Sequence, residues 1–224
     1  MCGRFVLMTP TASLSEKFEV EFYEEAPRYN IAPTQDISII RLNPATRGRE
    51  CVRVRWGLIP SWAKDASIGS RLLNARCETL HEKPAFKTSL EFRRCLVPSD
   101  GFYEWKREGK LRQPFLLKMA DSSPFVFAGL WDRWTSQEGE SIQSCTIITT
   151  PANELIAPIH DRMPAILPPK LYDAWLDPKT KNCEPLLKLL LPFPGSLMAA
   201  VPVGDRVNRA TYEGPDCIEP ITLE

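Results

Sequence analysis

The chain opens on Met1-Cys2-Gly3-Arg4, and these residues offer unusual chemistry. Loss of the initiator methionine, expected before a small second residue, leaves Cys2 as a 1,2-aminothiol, with an amine and a thiol on adjacent carbons. The amine of such a unit condenses with an aldehyde to an imine, and the thiol then closes a five-membered thiazolidine. An α-amino group with pKa about 7.7–8.0 is roughly a quarter neutral near pH 7.4, against about one part in a thousand for a lysine at about 10.4. An unperturbed thiol at about 8.5 adds a few per cent of thiolate. Position alone equally allows Cys2 to be a small residue at a frayed terminus, so other segments must decide.

Four of them carry unusual residues. Tyr29-Asn30-Ile31-Ala32-Pro33 reads as a polar-aromatic turn before a strand, with Asn30 satisfying backbone groups. Trp56-Gly57-Leu58-Ile59-Pro60-Ser61-Trp62 precedes Asn74-Ala75-Arg76-Cys77-Glu78-Thr79. Trp56 reads as core, whereas Trp62 follows a Pro-Ser turn in a polar stretch where an exposed ring fits. Exposed aromatics beside arginines suit single-stranded nucleic acid, because bases stack at about 1–3 kcal/mol each while cations hold phosphates. Either ring could also be core. In Ser99-Asp100-Gly101-Phe102-Tyr103-Glu104-Trp105-Lys106, strand alternation puts Phe102 and Glu104 on one face and Tyr103 and Trp105 on the other. A glutamate on an apolar face has its pKa raised by desolvation and suits general acid–base work; in the other register it is a surface residue. Finally, Ile159-His160-Asp161-Arg162-Met163-Pro164 holds one of only two histidines, either a proton shuttle or a structural ring. His81, among charged neighbours, reads as surface.

The elements that must position these residues are mostly strands. Twenty-one prolines against eleven glycines favour fixed turns over long helices. Val52, Val54 and Trp56 alternate with Arg53 and Arg55 as in a half-buried strand. Residues 37–42, 94–97, 102–106, 115–119, 125–131, 142–149 and 196–203 read likewise. Short helices are expected over 11–18, 153–158, 170–176 and 184–191. The sum predicts a single α+β domain over residues 1–224, built on a mostly antiparallel, curved or barrel-like sheet with few helices. The terminal Leu223-Glu224 reads as a cloning scar. A hydrophobic fraction of 43% and a charged fraction of 25% are those of a soluble globular protein. With no apolar run near about 20 residues and no secretory start, the expected location is cytoplasmic. Seven scattered cysteines without a C-x-x-C pair argue against a disulfide scaffold or structural zinc, so no metal and no cofactor are expected. Net charge is zero, yet residues 41–76 hold eight basic residues against Glu50 and Asp65, enough to attract a polyanion locally.

In this order, Met-Cys-Gly-Arg-Phe, Tyr-Asn-Ile-Ala-Pro, Trp-Gly-Leu-Ile-Pro-Ser-Trp, Asn-Ala-Arg-Cys-Glu-Thr, Asp-Gly-Phe-Tyr-Glu-Trp and His-Asp-Arg-Met-Pro resemble the SOS-response-associated peptidase (SRAP) family, the abasic-site-processing proteins. The resemblance runs from residue 2 to about residue 210. It implies a sensor, acting as a monomer, that attaches covalently to abasic sites in single-stranded DNA, chemistry of a lyase or thiol-autopeptidase kind. Cys2 would be the nucleophile, Asn74 would bond the ring-opened sugar, Glu104 would act as acid and base, and His160 would assist proton transfer. Arg4, Arg76 and Arg162 would hold phosphates, Trp62 and Trp105 would meet bases, and Gly3 would let the backbone approach the lesion. Autoproteolytic removal of the leader residue concerns the same Cys2. Two other readings stand beside this one. An N-terminal-nucleophile glutamine amidotransferase also begins Met-Cys-Gly, but its Asn-Gly oxyanion element is missing here. A non-covalent single-strand binding module would use only the basic and aromatic residues.

Overall fold

Alternation along Val52, Val54 and Trp56 does produce a strand, and the sheet it joins closes on itself. A computed structural model describes residues 2–109, 111–180 and 182–223. The expected loss of Met1 and the terminal Glu224 therefore lie outside the described residues. Strands β1 (Phe5–Leu7), β2 (Arg28–Ile31), β3 (Asp36–Leu42), β4 (Arg49–Trp56), β5 (Asn74–Arg76), β6 (Arg94–Ser99), β7 (Gly101–Glu108), β8 (Leu111–Met119), β9 (Phe125–Thr135), β10 (Ser141–Pro151), β11 (Arg162–Pro164), β12 (Ile166–Leu167) and β13 (Met198–Pro202) form two sheets. In the larger one, β10 pairs with β4, β4 with β3, β3 with β6, β6 with β9, and β9 again with β10, a closed five-strand ring. All these pairings are antiparallel except β4 on β10. Short β5 also runs parallel to β10, and β11 antiparallel to it. The smaller sheet has the order β13-β8-β7-β1-β2 and is antiparallel throughout.

Side chains sort onto the two faces by the period of two. Ile37, Ile39, Val54, Trp56, Cys95, Val97, Phe127, Cys145 and Ile147 join one buried cluster, to which the smaller sheet adds Cys2, Phe5, Phe102 and Leu117. Phe5 meets Trp56 and Phe127 edge-to-face at 5.3 and 5.9 Å, contacts worth about 0.5–1.5 kcal/mol each beyond their buried area. The opposite set, including Ile40, Leu96, Val126, Leu130 and Ile148, packs with the buried stripes of four short helices. These are α1 (Thr11–Phe18), α2 (Pro84–Phe92), α3 (Tyr172–Leu176) and α4 (Cys183–Leu187). Residues 153–158, expected as helix, form successive hydrogen-bonded turns capped by Asn153, whose Oδ1 accepts from Ile156 N. Pro158 has no N–H with which to continue them. Helix α2 escapes sequence reading because its buried stripe is only Phe86, Ser89 and Leu90.

One backbone crossing places the future site. Gly57 has φ +130°, and a Cβ built there would lie 2.7 Å from Gly69 O, while one on Gly69 would lie 2.7 Å from Gly57 O. The close approach lets Trp56 Nε1 donate to Leu73 O at 3.0 Å, Leu58 N to Leu72 O, and Ile147 N to Leu73 O. Asn74 is thereby delivered to the start of β5. Gly57→Ala combines overpacking with a left-handed backbone, so a loss of about 2 kcal/mol or more is expected. At this chain length that corresponds to a fall in Tm of about 4–8 °C, measurable by differential scanning calorimetry.

Candidate functional site

The short first strand docks on β7 with Phe5 opposite Phe102 and Val6 opposite Gly101. Tyr103 N donates to Arg4 O at 3.0 Å, continuing the same register toward the N-terminus. Extension of that register puts Gly3 opposite Glu104, one residue along the chain from Cys2. The other end of β1 is fastened by Asp100, whose carboxylate accepts from Met8 N at 2.5 Å, Thr9 N at 2.7 Å and Thr9 Oγ1 at 2.5 Å.

Cys2 is fully buried, with Sγ 3.8 Å from Arg4 O, and its carbonyl accepts from Asn74 Nδ2 at 2.8 Å. Burial, with the charge of Glu104 behind it, pushes the Cys2 thiol far above its ordinary range. The thiolate fraction expected for an exposed cysteine is therefore corrected: this sulfur is held as a thiol. Glu104 is only 3% exposed, and burial raises its carboxyl pKa against the opposing pull of His160. Asn74 presents a second, buried amide atom, Oδ1, that has no hydrogen-bond partner among the described residues.

His160 follows the 153–158 turns and is 27% exposed. Its Nδ1 accepts from Arg162 N at 2.9 Å and also lies 3.0 Å from Asp161 Oδ1. With Arg162 N donating to Nδ1, the neutral imidazole holds its proton on Nε2. Cys2, Asn74, Glu104 and His160 thus meet, Cys2 by hydrogen bond to Asn74 and by charge to Glu104, which in turn feels His160.

The six expected nucleic-acid contacts divide. Trp62 is 59% exposed on a turn held by Ser61 N donating to Asp132 Oδ2, and Trp56 is core. Arg76 is exposed two residues after Asn74, on the same face of β5. Gly3 is half-buried beside Glu104. Arg162 is not presented openly. Its two Nη atoms meet both Glu78 oxygens, at 2.5 and 3.0 Å, and Nη2 donates to Thr149 O at 2.7 Å. The pair holds the Glu78 carboxyl down at about 2. A bond between residues 84 positions apart leaves no local trace in the sequence, so nothing around Glu78 marks it as the partner of Arg162. Arg4 commits Nη1 to Asn30 Oδ1 at 2.9 Å and Val207 O at 2.7 Å. Trp105 lies on the opposite face of β7 from Glu104, half-buried against Tyr103, with Nε1 donating to Asn208 Oδ1 at 2.6 Å. Among the described residues no group of three or more His, Cys, Asp or Glu side chains gathers to hold a metal ion, and no helix is long and apolar enough to cross a membrane.

A buried cysteine at position 2 beside a buried glutamate, an asparagine and a histidine sits on a mostly β fold that has relatives among known proteins. Residues 1–210 match the model of the SOS response associated peptidase (SRAP) family, and the chain belongs to it. It is 43% identical over 224 residues to the abasic site processing protein YoqW of Bacillus subtilis, covering 98% of this chain and 99% of that one. It is 31% identical over 232 residues to the abasic site processing protein HMCES of Xenopus tropicalis, covering 93% and 68% respectively. The crystal structure of a Bacteroides thetaiotaomicron protein superposes with a TM-score of 0.87 at 28% identity, over 99% of this chain and all of that one.

The raised pKa of Glu104 has a consequence for stability with a defined sign. The folded state binds that proton more tightly than the unfolded chain, so above the ordinary glutamate pKa of about 4.3 the carboxyl destabilises the fold progressively, until pH passes the raised value. Glu104→Gln should therefore melt higher than the natural protein at about pH 8, and the gain should shrink toward zero at about pH 4. Thermal denaturation followed by circular dichroism across that range checks it; an equal gain at both ends would refute the assignment.

Proposed function

We propose that this protein processes abasic sites in DNA, capturing the lesion in single strands as a thiazolidine on Cys2. The meeting of Cys2, Asn74, Glu104 and His160 in one place carries the reading. Membership of a family whose relatives are named abasic site processing proteins supports it.

The chemistry balances without an oxidant or reductant. Hydrolytic loss of Met1 frees the Cys2 amine. The abasic sugar is a hemiacetal in equilibrium with an open aldehyde, and Glu104, whose carboxyl pKa is raised by burial, protonates the ring oxygen as it leaves. The amine nitrogen attacks C1′, and the carbinolamine loses water to give an imine. The Cys2 sulfur then adds to the imine carbon, and its proton passes through Glu104 to the nitrogen. The sum is aminothiol plus aldehyde giving thiazolidine plus water. Because burial holds Cys2 as a thiol, the amine attacks first and the sulfur needs a base for closure. Ring closure removes the imine and with it the route to β-elimination and strand cleavage. The unpartnered Asn74 Oδ1 accepts from a hydroxyl of the opened sugar, and His160 Nε2–H donates to it on the other side.

Around the lesion, Arg76 takes a flanking phosphate, Trp62 stacks on a base, and the open edges of Trp105 and Arg4 border the strand. Arg162 takes a phosphate only by leaving Glu78, so its service in this reading is to hold His160. An abasic nucleotide has no base to flip out, and a single strand needs no unpairing. Sequence preference is weak, and affinity before capture falls with salt.

Incubation of Met1-trimmed protein with single-stranded DNA bearing one abasic site should yield a band that survives denaturing electrophoresis, absent with intact DNA and with Cys2→Ala. Asn74→Ala should slow its formation by about tenfold or more. No such band, with trimming verified by mass, would overturn the reading in favour of a non-covalent binding module or glutamine hydrolysis.

A further inference from the structure

Asn30 is fully buried, far from any role in the chemistry above, and yet it is among the most heavily bonded side chains of the fold. Its Nδ2 is directed at three backbone carbonyls of the C-terminal segment, Val207 at 3.3 Å, Arg209 at 3.0 Å and Tyr212 at 2.8 Å. Its Oδ1 receives Arg4 Nη1 at 2.9 Å, and the same Nη1 reaches Val207 O at 2.7 Å. The segment is held from a second side by Glu213, whose Oε1 accepts from Asn30 N at 2.8 Å and from Tyr29 N. Tyr103 completes the attachment, its hydroxyl lying 2.8 Å from Tyr29 O and 3.4 Å from Cys217 O. Residues 203–218 thus close over the outer side of β1, β2 and β7, and the link that runs from them toward Cys2 is Arg4.

That link is short. Arg4 is two residues from Cys2, its carbonyl lies 3.8 Å from Cys2 Sγ, and the same oxygen accepts Tyr103 N. β1 begins only at Phe5, so Cys2–Arg4 lie beyond the assigned strand and need a separate fixing. We propose that Asn30, seated in the C-terminal segment, is a positioning residue for the aminothiol: it holds the Arg4 guanidinium, and Arg4 holds Cys2 against Asn74 and Glu104. This rests on the abasic-site reading for its kinetic consequence but not for its structural one. A buried asparagine can do this where a lysine or serine cannot, because it offers two donors and an acceptor in one rigid plane. Loss of aim at a reacting centre is expensive, since a displacement of about 1 Å can lower a rate by about 10²-fold.

The test follows crosslinking of Met1-trimmed protein to abasic single-stranded DNA in single turnover, fitting the rate constant of the active fraction separately from its amplitude. Asn30→Ala should slow that rate constant by about tenfold at saturating DNA while leaving the half-saturating DNA concentration unchanged. A purely structural role would lower amplitude and Tm but leave the rate constant of the folded fraction where it was. Tyr103→Phe removes a bond to the same segment without touching Arg4, and should lower Tm with the rate constant retained. The double variant Arg4→Ala with Asn30→Ala should be no slower than the slower single one, because both act through one contact. Alkylation of Cys2 by iodoacetamide, located by peptide mass, reports the same seat without DNA and should accelerate about tenfold in Asn30→Ala. Should Asn30→Ala fail to fold, Glu213→Gln weakens the seat from its exposed rim and is read the same way, with a smaller change expected. Unchanged rate constant and unchanged alkylation, equal slowing by Tyr103→Phe, or multiplying effects in the double variant would each overturn the proposal. Faster alkylation with no crosslink in any variant would instead uphold the seat and remove the abasic-site reading.

Discussion

Antiparallel pairing of β1 with β7 is the constraint from which the site follows. Phe5 opposite Phe102 leaves the residues before the strand no choice of neighbour: continued one step past Arg4, the ladder puts the N-terminal turn beside Glu104. A slip of one residue would exchange the two faces of the strand and carry Phe5 off Trp56 and Phe127. The aromatic cluster therefore sets the register, and the register sets the chemistry. Asp100 secures the arrangement from the far end of the strand, where a three-residue β1 is too short to hold itself.

The same geometry imposes an electrostatic conflict. Cys2 and Glu104 are buried together, each would lose its proton in water more readily than it does here, and each would raise the other's pKa on ionising. Desolvation dominates on both sides and raises both pKa values. His160 supplies the counterweight, and its tautomer is set by a backbone amide rather than by a side chain. Arg162 and Glu78 brace that amide's residue through a bidentate pair.

Much of this is legible in the order of residues. The long strands announce themselves by alternation, and Thr11–Phe18 is found at its observed bounds because Leu14 and Phe18 mark a buried stripe. The alternation at Phe102, Tyr103 and Glu104 correctly turns the glutamate inward. Strands of two to four residues are invisible because nothing within them repeats. β5 and β11 exist only because β10 supplies a ladder on each side. Arg4 and Arg162 show the deeper difficulty: a cationic side chain carries no mark of whether its acceptor will be a ligand or a carbonyl folded in from 203 residues away. Asn30 serves backbone groups, as its turn position suggests, but the groups belong to the other end of the chain.

The buried sulfur of Cys2 also bears on how long the protein keeps its competence. Peroxide and disulfide exchange attack the thiolate, and their rates fall with its population and with access. A sulfur that is fully covered and held in its protonated form is poorly placed on the path to sulfenic acid. An exposed thiol would meet any passing carbonyl metabolite or oxidant. Enclosure keeps the Cys2 sulfur from both.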